Sequence, residues 1–309
     1  MLVRGASTLL QCFPYEAGER LMRLAGRGWW LVAGSRRRTA IENLRLAFGE
    51  TKSEEERRRI AIASFEHAFV LLYEVLMRHR LVPTLEAFRE RTRILGDEAS
   101  ARREIAAGRG GFLLTAHFGS WETAGAYVSY ERVPFAAVAR SVPNPYVQDL
   151  LTGTRSKSFR VFQKIGAVAD SVRVIREGTW VAVLGDQNAG KHGVFIPFFG
   201  VPAATYPLVA TLAIRHGFNV YFAVAVRRGP RFRYDFVVER YVPPEGRLEF
   251  DQERAHLLLA YHAWLEARIR EAPEQYFWMH RRWKTRPKDE VPGPLVPRYD
   301  HRGPRERRP

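Results

Sequence analysis

The stretch Gly111-Phe112-Leu113-Leu114-Thr115-Ala116-His117-Phe118-Gly119-Ser120-Trp121-Glu122 sets the architecture of this 309-residue chain. Gly111–Thr115 is a short apolar run of the kind that forms a strand buried on both faces. Gly119 permits a turn, and Ser120 suits the cap of a helix running from Trp121 to about residue 130. A strand that passes through a glycine turn into a helix is the opening of an open α/β sheet. His117 then stands at the strand's carboxyl end, where such sheets bind ligands. Residues five apart in a helix lie on different faces, so His117 and Glu122 cooperate only across a bend, which Gly119 supplies. A neutral imidazole in that place can take a proton from an attacking hydroxyl, and a carboxylate on its other nitrogen fixes the tautomer. The same letters also suit an ordinary strand-end histidine followed by a first-turn acid favoured by the helix dipole.

Outward from this stretch, apolar runs alternate with helical patterns. Strands are expected at Gly111–Thr115, Phe135–Ala139, Trp180–Leu184, Val220–Val226 and Phe232–Glu239. Helices are expected over 97–107, 121–131, 145–159, 168–177, 206–216 and 251–271. In the last of these, Leu257, Leu258, Tyr261, Trp264, Leu265 and Ile269 keep helical spacing. Residues 16–80 read as three helices, the longest starting near Ser53 with three glutamates in its first turn. The expected fold class is therefore α/β: a mixed central sheet covered by helices, preceded by a helical amino-terminal segment. The expected division is a helical segment over 1–95, an α/β core over 96–287, and a disordered tail rich in Pro and Arg over 288–309.

Composition narrows the chemistry. The single cysteine, Cys12, excludes a disulfide framework within the chain and a multi-cysteine zinc site. The histidines form no HExxH-type spacing, so no metal is expected. The formal charge of +16 calls for an anionic partner: a membrane surface, a phosphorylated lipid, an acidic carrier protein or nucleic acid. The positive charge is spread along the chain with no nucleic-acid motif, and it is carried by arginine far more than by the six lysines. A basic nucleic-acid or membrane-binding protein without enzymatic activity is the rival class. No run of 18 apolar residues is present, so no spanning helix is expected. Trp29 and Trp30, flanked by Arg20, Arg23, Arg27 and Arg36–Arg38, suit a helix lying in a membrane interface or one packed on the core. Gly185–His192 nearly spells a phosphate-binding loop, but His192 stands where Ser or Thr must follow Lys191, and β-like residues follow instead of a helix.

Four blocks carry a resemblance. His117-Phe118-Gly119-Ser120-Trp121-Glu122 resembles the HX4E box of the bacterial late lipid A acyltransferases, the lauroyl and myristoyl transferases. Asp186-Gln187 and Gly193–Ala203 resemble that family's second block, and Phe277–Pro287 its carboxyl-terminal signature. Arg38, Ala40, Asn43-Leu44 and Phe48 resemble its early helical segment. Phosphatidylinositol mannoside acyltransferases look similar, which leaves the acceptor open.

The resemblance implies a glycerolipid-acyltransferase-like fold and an O-acyltransferase without a cofactor, acting at the cytoplasmic face of a cell inner membrane. The donor would be acyl carrier protein or acyl-CoA, the acceptor an anionic glycolipid such as a lipid A precursor, with no nucleic acid involved. His117 would be the general base and Glu122 its orienting partner. Arg140, Asp186, Gln187, Phe195, Phe198 and Arg281 would bind substrate, the two phenylalanines by lining an acyl groove. Asp186 and Gln187 would orient the acceptor or support the histidine. Backbone amides at the start of the 121–131 helix would supply donors to the oxyanion. The resembling enzymes commonly carry a spanning amino-terminal helix that this sequence does not show.

Overall fold

A computed structural model describes residues 14–139, 160–163, 167–229, 231–246 and 248–288. The expected helix over 145–159, Arg140, Cys12 and all of the tail beyond residue 288 lie outside the described residues.

Three helices open the described chain: α1 (Tyr15–Val32), α2 (Gly34–Phe48) and α3 (Glu54–Leu81). Ser53 starts α3 with a capping box, its hydroxyl accepting from Glu56 N while the Glu56 carboxylate accepts from Ser53 N. Then follow the short α4 (Leu85–Arg89), β1 (Thr92–Gly96), α5 (Glu98–Ala106), β2 (Gly111–Thr115), α6 (Trp121–Tyr130) and β3 (Phe135–Ala139). After them come β4 (Arg160–Gln163), α7 (Ala167–Arg176), β5 (Trp180–Leu184), β6 (Val194–Phe198) and β7 (Val201–Thr205). The chain continues through α8 (Leu208–His216), β8 (Asn219–Arg227), β9 (Tyr234–Arg240) and α9 (Phe250–Glu271).

Seven strands form one sheet in the order β1-β9-β8-β2-β5-β3-β4. Every described pairing in it is parallel except β8 with β9. This is the mixed, helix-covered sheet that the alternation of patterns implies. β1 pairs Thr92–Gly96 with Tyr234–Val238, so the sheet begins before residue 96. The amino-terminal helices also join the main core: Trp30, Leu44, Phe48 and Phe65 belong to the same buried cluster as Phe112, Leu114 and Tyr261. Trp30 is 4% exposed and meets Phe65 edge-on at 5.2 Å, and Trp29 packs on Phe65 and Phe69. Both tryptophans therefore belong to the packing of α1 on α3 and not to a membrane interface.

By length and composition α3 passes as a membrane span, yet just over half of its apolar window is buried inside the fold, and it serves as a core helix. β6 and β7 form a separate hairpin across Phe199-Gly200, both with positive φ (52° and 73°). That is the two-residue turn whose twist matches its strands. The hairpin follows the loop after β5 where a phosphate-binding loop would need a helix.

Candidate active site

β2 and β5 are neighbours in parallel register, and that register builds the site. Gly111 lies opposite Trp180 and Thr115 opposite Leu184, a constant offset of 69 residues. The pairing continues one step further through the bond from Gly185 N to Thr115 O. His117 and Asp186, two residues beyond each strand, are also 69 apart and meet: His117 Nδ1 lies 2.8 Å from Asp186 Oδ1. Asp186 is buried, while the His117 side chain is 22% exposed. Burial alone would push the Asp186 carboxyl up, but the adjacent His117 and then Arg282 more than reverse this and hold it below the usual carboxylate range. An ionised Asp186 only accepts hydrogen bonds, so the proton of a neutral His117 sits on Nδ1. Nε2 then carries a lone pair, and the amide Nε2 of Gln187 donates to it at 3.3 Å.

The turn before α6 is fixed from several sides. Gly119 has φ of 59°, and a Cβ there would fall 1.8 Å from Ala225 O, so only glycine fits. Its amide donates to Gln275 O, its carbonyl accepts from His67 Nε2, and Ser120 N donates to Ala225 O. Ser120 caps α6 by accepting from Thr123 N. The His117 carbonyl accepts from Phe277 N.

Glu122 takes a different place from the one its spacing suggests. The described hydrogen bonds of the His117 ring go to Asp186 and Gln187, not to Glu122. Instead, Glu122 Oε1 accepts from Trp121 Nε1 at 3.2 Å, and its charge acts on Arg78 of α3. Trp121 in turn packs edge-on against the His117 ring, with centroids 5.0 Å apart. The first turn of α6 aims Glu122 into the space between helix and sheet, while the strand register brings Asp186 to the imidazole.

The carboxyl-terminal signature holds the loop after β5. Asn188 N donates to His280 Nε2 at 3.0 Å, and Asn188 Nδ2 donates to Thr285 Oγ1. His280 is pushed down to about 4 by burial, which keeps that nitrogen an acceptor. Asn43 of α2 donates to the carbonyls of Trp278 and His280, tying the early helical block to the last one. Trp278, Trp283 and Arg282 are almost fully buried, and Arg282 donates to Ala204 O and Thr205 Oγ1. Arg281 is partly exposed, and its guanidinium has no partner among the described residues.

Phe198 does not line a groove. It is 1% exposed and stacks on Trp283, because alternate residues of β6 point into the core. Phe195, on the outward face, is 39% exposed. The apolar space lies elsewhere, as a cavity of about 200 Å³ between α5, α6 and one face of the sheet. Leu113, Ala137, Ala182 and Val224 form part of its sheet side, and Trp121 and Glu122 its wall toward His117. A signal for this space was present in the sequence: Leu113, Thr115, Trp180, Ala182 and Leu184 share one face by strand alternation.

Residues 1–285 match the family of bacterial lipid A biosynthesis acyltransferases. This chain belongs to that family. The lipid A biosynthesis lauroyltransferase of Escherichia coli (strain K12) is 30% identical over 292 residues, covering 92% of this chain and 90% of that one. The myristoyltransferase of the same organism is 25% identical over 280 residues, covering 88% and 81%. A lipid A biosynthesis acyltransferase of Haemophilus influenzae is 23% identical over 284 residues, covering 90% and 85%. The chain is accordingly an acyltransferase, as its motifs imply.

Proposed function

We propose that this acyltransferase moves a fatty acyl group from a thioester, on acyl carrier protein or coenzyme A, to a hydroxyl of a lipid A precursor. The observation that carries the reading is the 2.8 Å bond between His117 Nδ1 and Asp186 at the ends of two adjacent parallel strands. Asp186 fixes the tautomer, so His117 Nε2 takes the proton of the acceptor hydroxyl as its oxygen attacks the thioester carbon. The C–S bond then breaks and the proton on Nε2 passes to the leaving sulfur, giving an ester and a thiol. No acyl-enzyme is needed. Glu122 acts as a positioning residue, holding Trp121 against the imidazole.

The cavity under α5 and α6 suits the acyl chain, because its lining is mostly aliphatic and aromatic, with Glu98, Arg102, Glu122 and Glu131 also among the lining residues, and its wall includes Trp121. It follows β5 from Leu184 back to Trp180, a depth of roughly 13 Å at about 3.3 Å per residue. Arg281, beside the histidine that anchors the Asp186 loop and without a partner among the described residues, suits an anionic headgroup.

Membrane contact fits the outer face of α1, where Leu21, Leu24, Leu31 and Val32 are 46–80% exposed, with Arg20, Arg23 and Arg27 on the same helix and Arg36–Arg38 following it. An apolar stripe edged with arginine suits the interface of an anionic bilayer, here the cytoplasmic face of an inner membrane.

The test is transfer from labelled acyl carrier protein to a tetra-acylated lipid A precursor, comparing wild type with His117→Ala after confirming that both are folded. A loss of at least about a hundredfold in His117→Ala is expected, in line with general-base help of 10²- to 10⁴-fold. Transfer that survives the substitution would sink the mechanism.

A further inference from the structure

The tetrahedral intermediate of a thioester carries a negative oxygen, and a buried oxyanion without a donor is costly. At the turn into α6, three of the amides are already engaged, which leaves those of Trp121 and Glu122 as the backbone alternative. Gly119 N serves Gln275 O at 3.1 Å, Ser120 N serves Ala225 O at 2.8 Å, and Thr123 N serves the Ser120 hydroxyl at 3.3 Å. The loop after β5 is no freer, because Asn188 N serves His280 and Ala189 N serves Ala204 O at 3.0 Å. One donor nonetheless stands at the reacting nitrogen itself. The Gln187 amide lies 3.3 Å from His117 Nε2, where the acceptor hydroxyl must come to give up its proton.

We propose that the side-chain amide of Gln187 is a catalytic donor, moving from His117 Nε2 onto the thioester carbonyl oxygen as that oxygen becomes an anion. This rests on the acyl-transfer reading above. Three observations support it. The bond to Nε2 fixes the identity of the pair, since Asp186 claims the Nδ1 proton and Nε2 can only accept. The backbone around Gln187 is clamped on both sides, by Asp186 on His117 and by Asn188 on His280 and Thr285, so the side chain alone must swing. Its partner, finally, is one the substrate itself displaces: when the hydroxyl takes the Nε2 lone pair, the amide loses its acceptor at the moment the carbonyl oxygen arrives. A donor preorganised in this way needs little rearrangement at the instant of reaction.

The experiment compares wild type, Gln187→Met and Gln187→Asn as full-length protein. Met keeps the bulk and removes the donor, while Asn keeps the donor and shortens its reach. Transfer from labelled acyl carrier protein is measured alongside binding of two unreactive donor analogues. One replaces the thioester carbonyl by a tetrahedral phosphonate oxyanion, and the other by a methylene, giving a thioether. In Gln187→Met, kcat should fall about 10²- to 10³-fold, the range for loss of one oxyanion donor, with KM changed by less than about threefold. Phosphonate affinity should fall in parallel while thioether affinity stays level, and Gln187→Asn should lie between Met and wild type. Retention of kcat within about threefold in Gln187→Met would overturn the proposal and return the role to the amides of Trp121 and Glu122. Equal loss of affinity for both analogues would also overturn it, showing Gln187 to be a binding or packing residue. Folded wild type that binds the thioether yet transfers nothing would overturn the acyl-transfer reading, and this proposal with it.

Discussion

The Glu74 and Asp186 clusters each pair a buried carboxylate with a nitrogen group, and they end differently. Glu74 of α3 is fully buried and bonds Tyr15, Tyr234 and Arg227, while Arg227 also reaches Glu19 at 3.0 Å. Every strong donor and acceptor there faces another, and the cluster locks α1 and α3 to β8 and β9. Asp186 is also buried, but its partner is a partly exposed histidine whose far nitrogen is held, among the described residues, only by a side-chain amide. A closed network of this kind specifies structure, and one that leaves a replaceable bond at its edge is ready for chemistry.

The sharpest way to break the contrast is to exchange charge for amide in the open cluster. Asp186→Asn should lower kcat at least about a hundredfold, because the carboxamide no longer selects the tautomer or steadies the imidazolium. Its melting temperature should stay near wild type, and a large loss of stability would merge the two clusters into one kind. Glu122→Gln should cost less, about tenfold, since it loosens Trp121 and leaves the His117–Asp186 bond intact. A loss equal to that of Asp186→Asn would return the orienting role to Glu122.

In the closed cluster the effect moves from rate to stability. Arg227→Met strands Glu74 without its cation and should destabilise the fold by about 3–5 kcal/mol in denaturant titration. The kcat of the molecules that remain folded should be nearly unchanged, and a selective fall in rate would show the network to be part of the site.

Acid sharpens the comparison further. Burial pushes His67 and His280 down to about 4 and His262 to about 3, so the folded protein resists protonating them. Unfolded histidines titrate near 6.5, so the unfolded state binds these protons first as pH falls. Their stabilisation is complete above about 6.5 and drains away between there and about 4. Melting temperature should fall through that window, and a flat profile would contradict the burial of these rings.

The smallest expected effect concerns the chain cavity. Ala182→Leu fills part of it and should shift preference toward shorter acyl groups, each unburied methylene being worth about 0.8 kcal/mol, or roughly fourfold in kcat/KM. An unaltered chain-length profile would place the acyl group elsewhere.

These contrasts also mark what the sequence made legible. β2, β3 and β5 stand where their continuous apolar runs predict, because parallel strands covered on both faces need little else. β1 escaped notice, since Thr92-Arg93-Ile94-Leu95-Gly96 is half polar and gains its identity from pairing with β9. β7 is masked by Pro202 and by a turn whose first residue is Phe199 where Asn or Gly is the usual signal. At the site, His117 was readable from its strand end and Gly119 from the turn it must make. Asp186 came from the resemblance, which has it orient the acceptor or support the histidine, and not from spacing. Spacing reports neighbours along the chain and so pointed to Glu122, whereas Asp186 arrives from another strand. Phe198 was misread for a related reason, because an aromatic in a hairpin has an inner and an outer face that only the pairing reveals.

The 69-residue offset between β2 and β5 works like two rulers laid edge to edge. His117 and Asp186 coincide because each lies the same number of marks beyond its own strand, whatever length of chain joins them. Segments spliced into or cut from the connection between the strands would leave the two marks aligned. A single residue gained or lost inside either strand would slide one ruler past the other and turn Asp186 to the opposite face of the sheet. The meeting of His117 and Asp186 is thus counted in strand residues and is indifferent to distance along the chain.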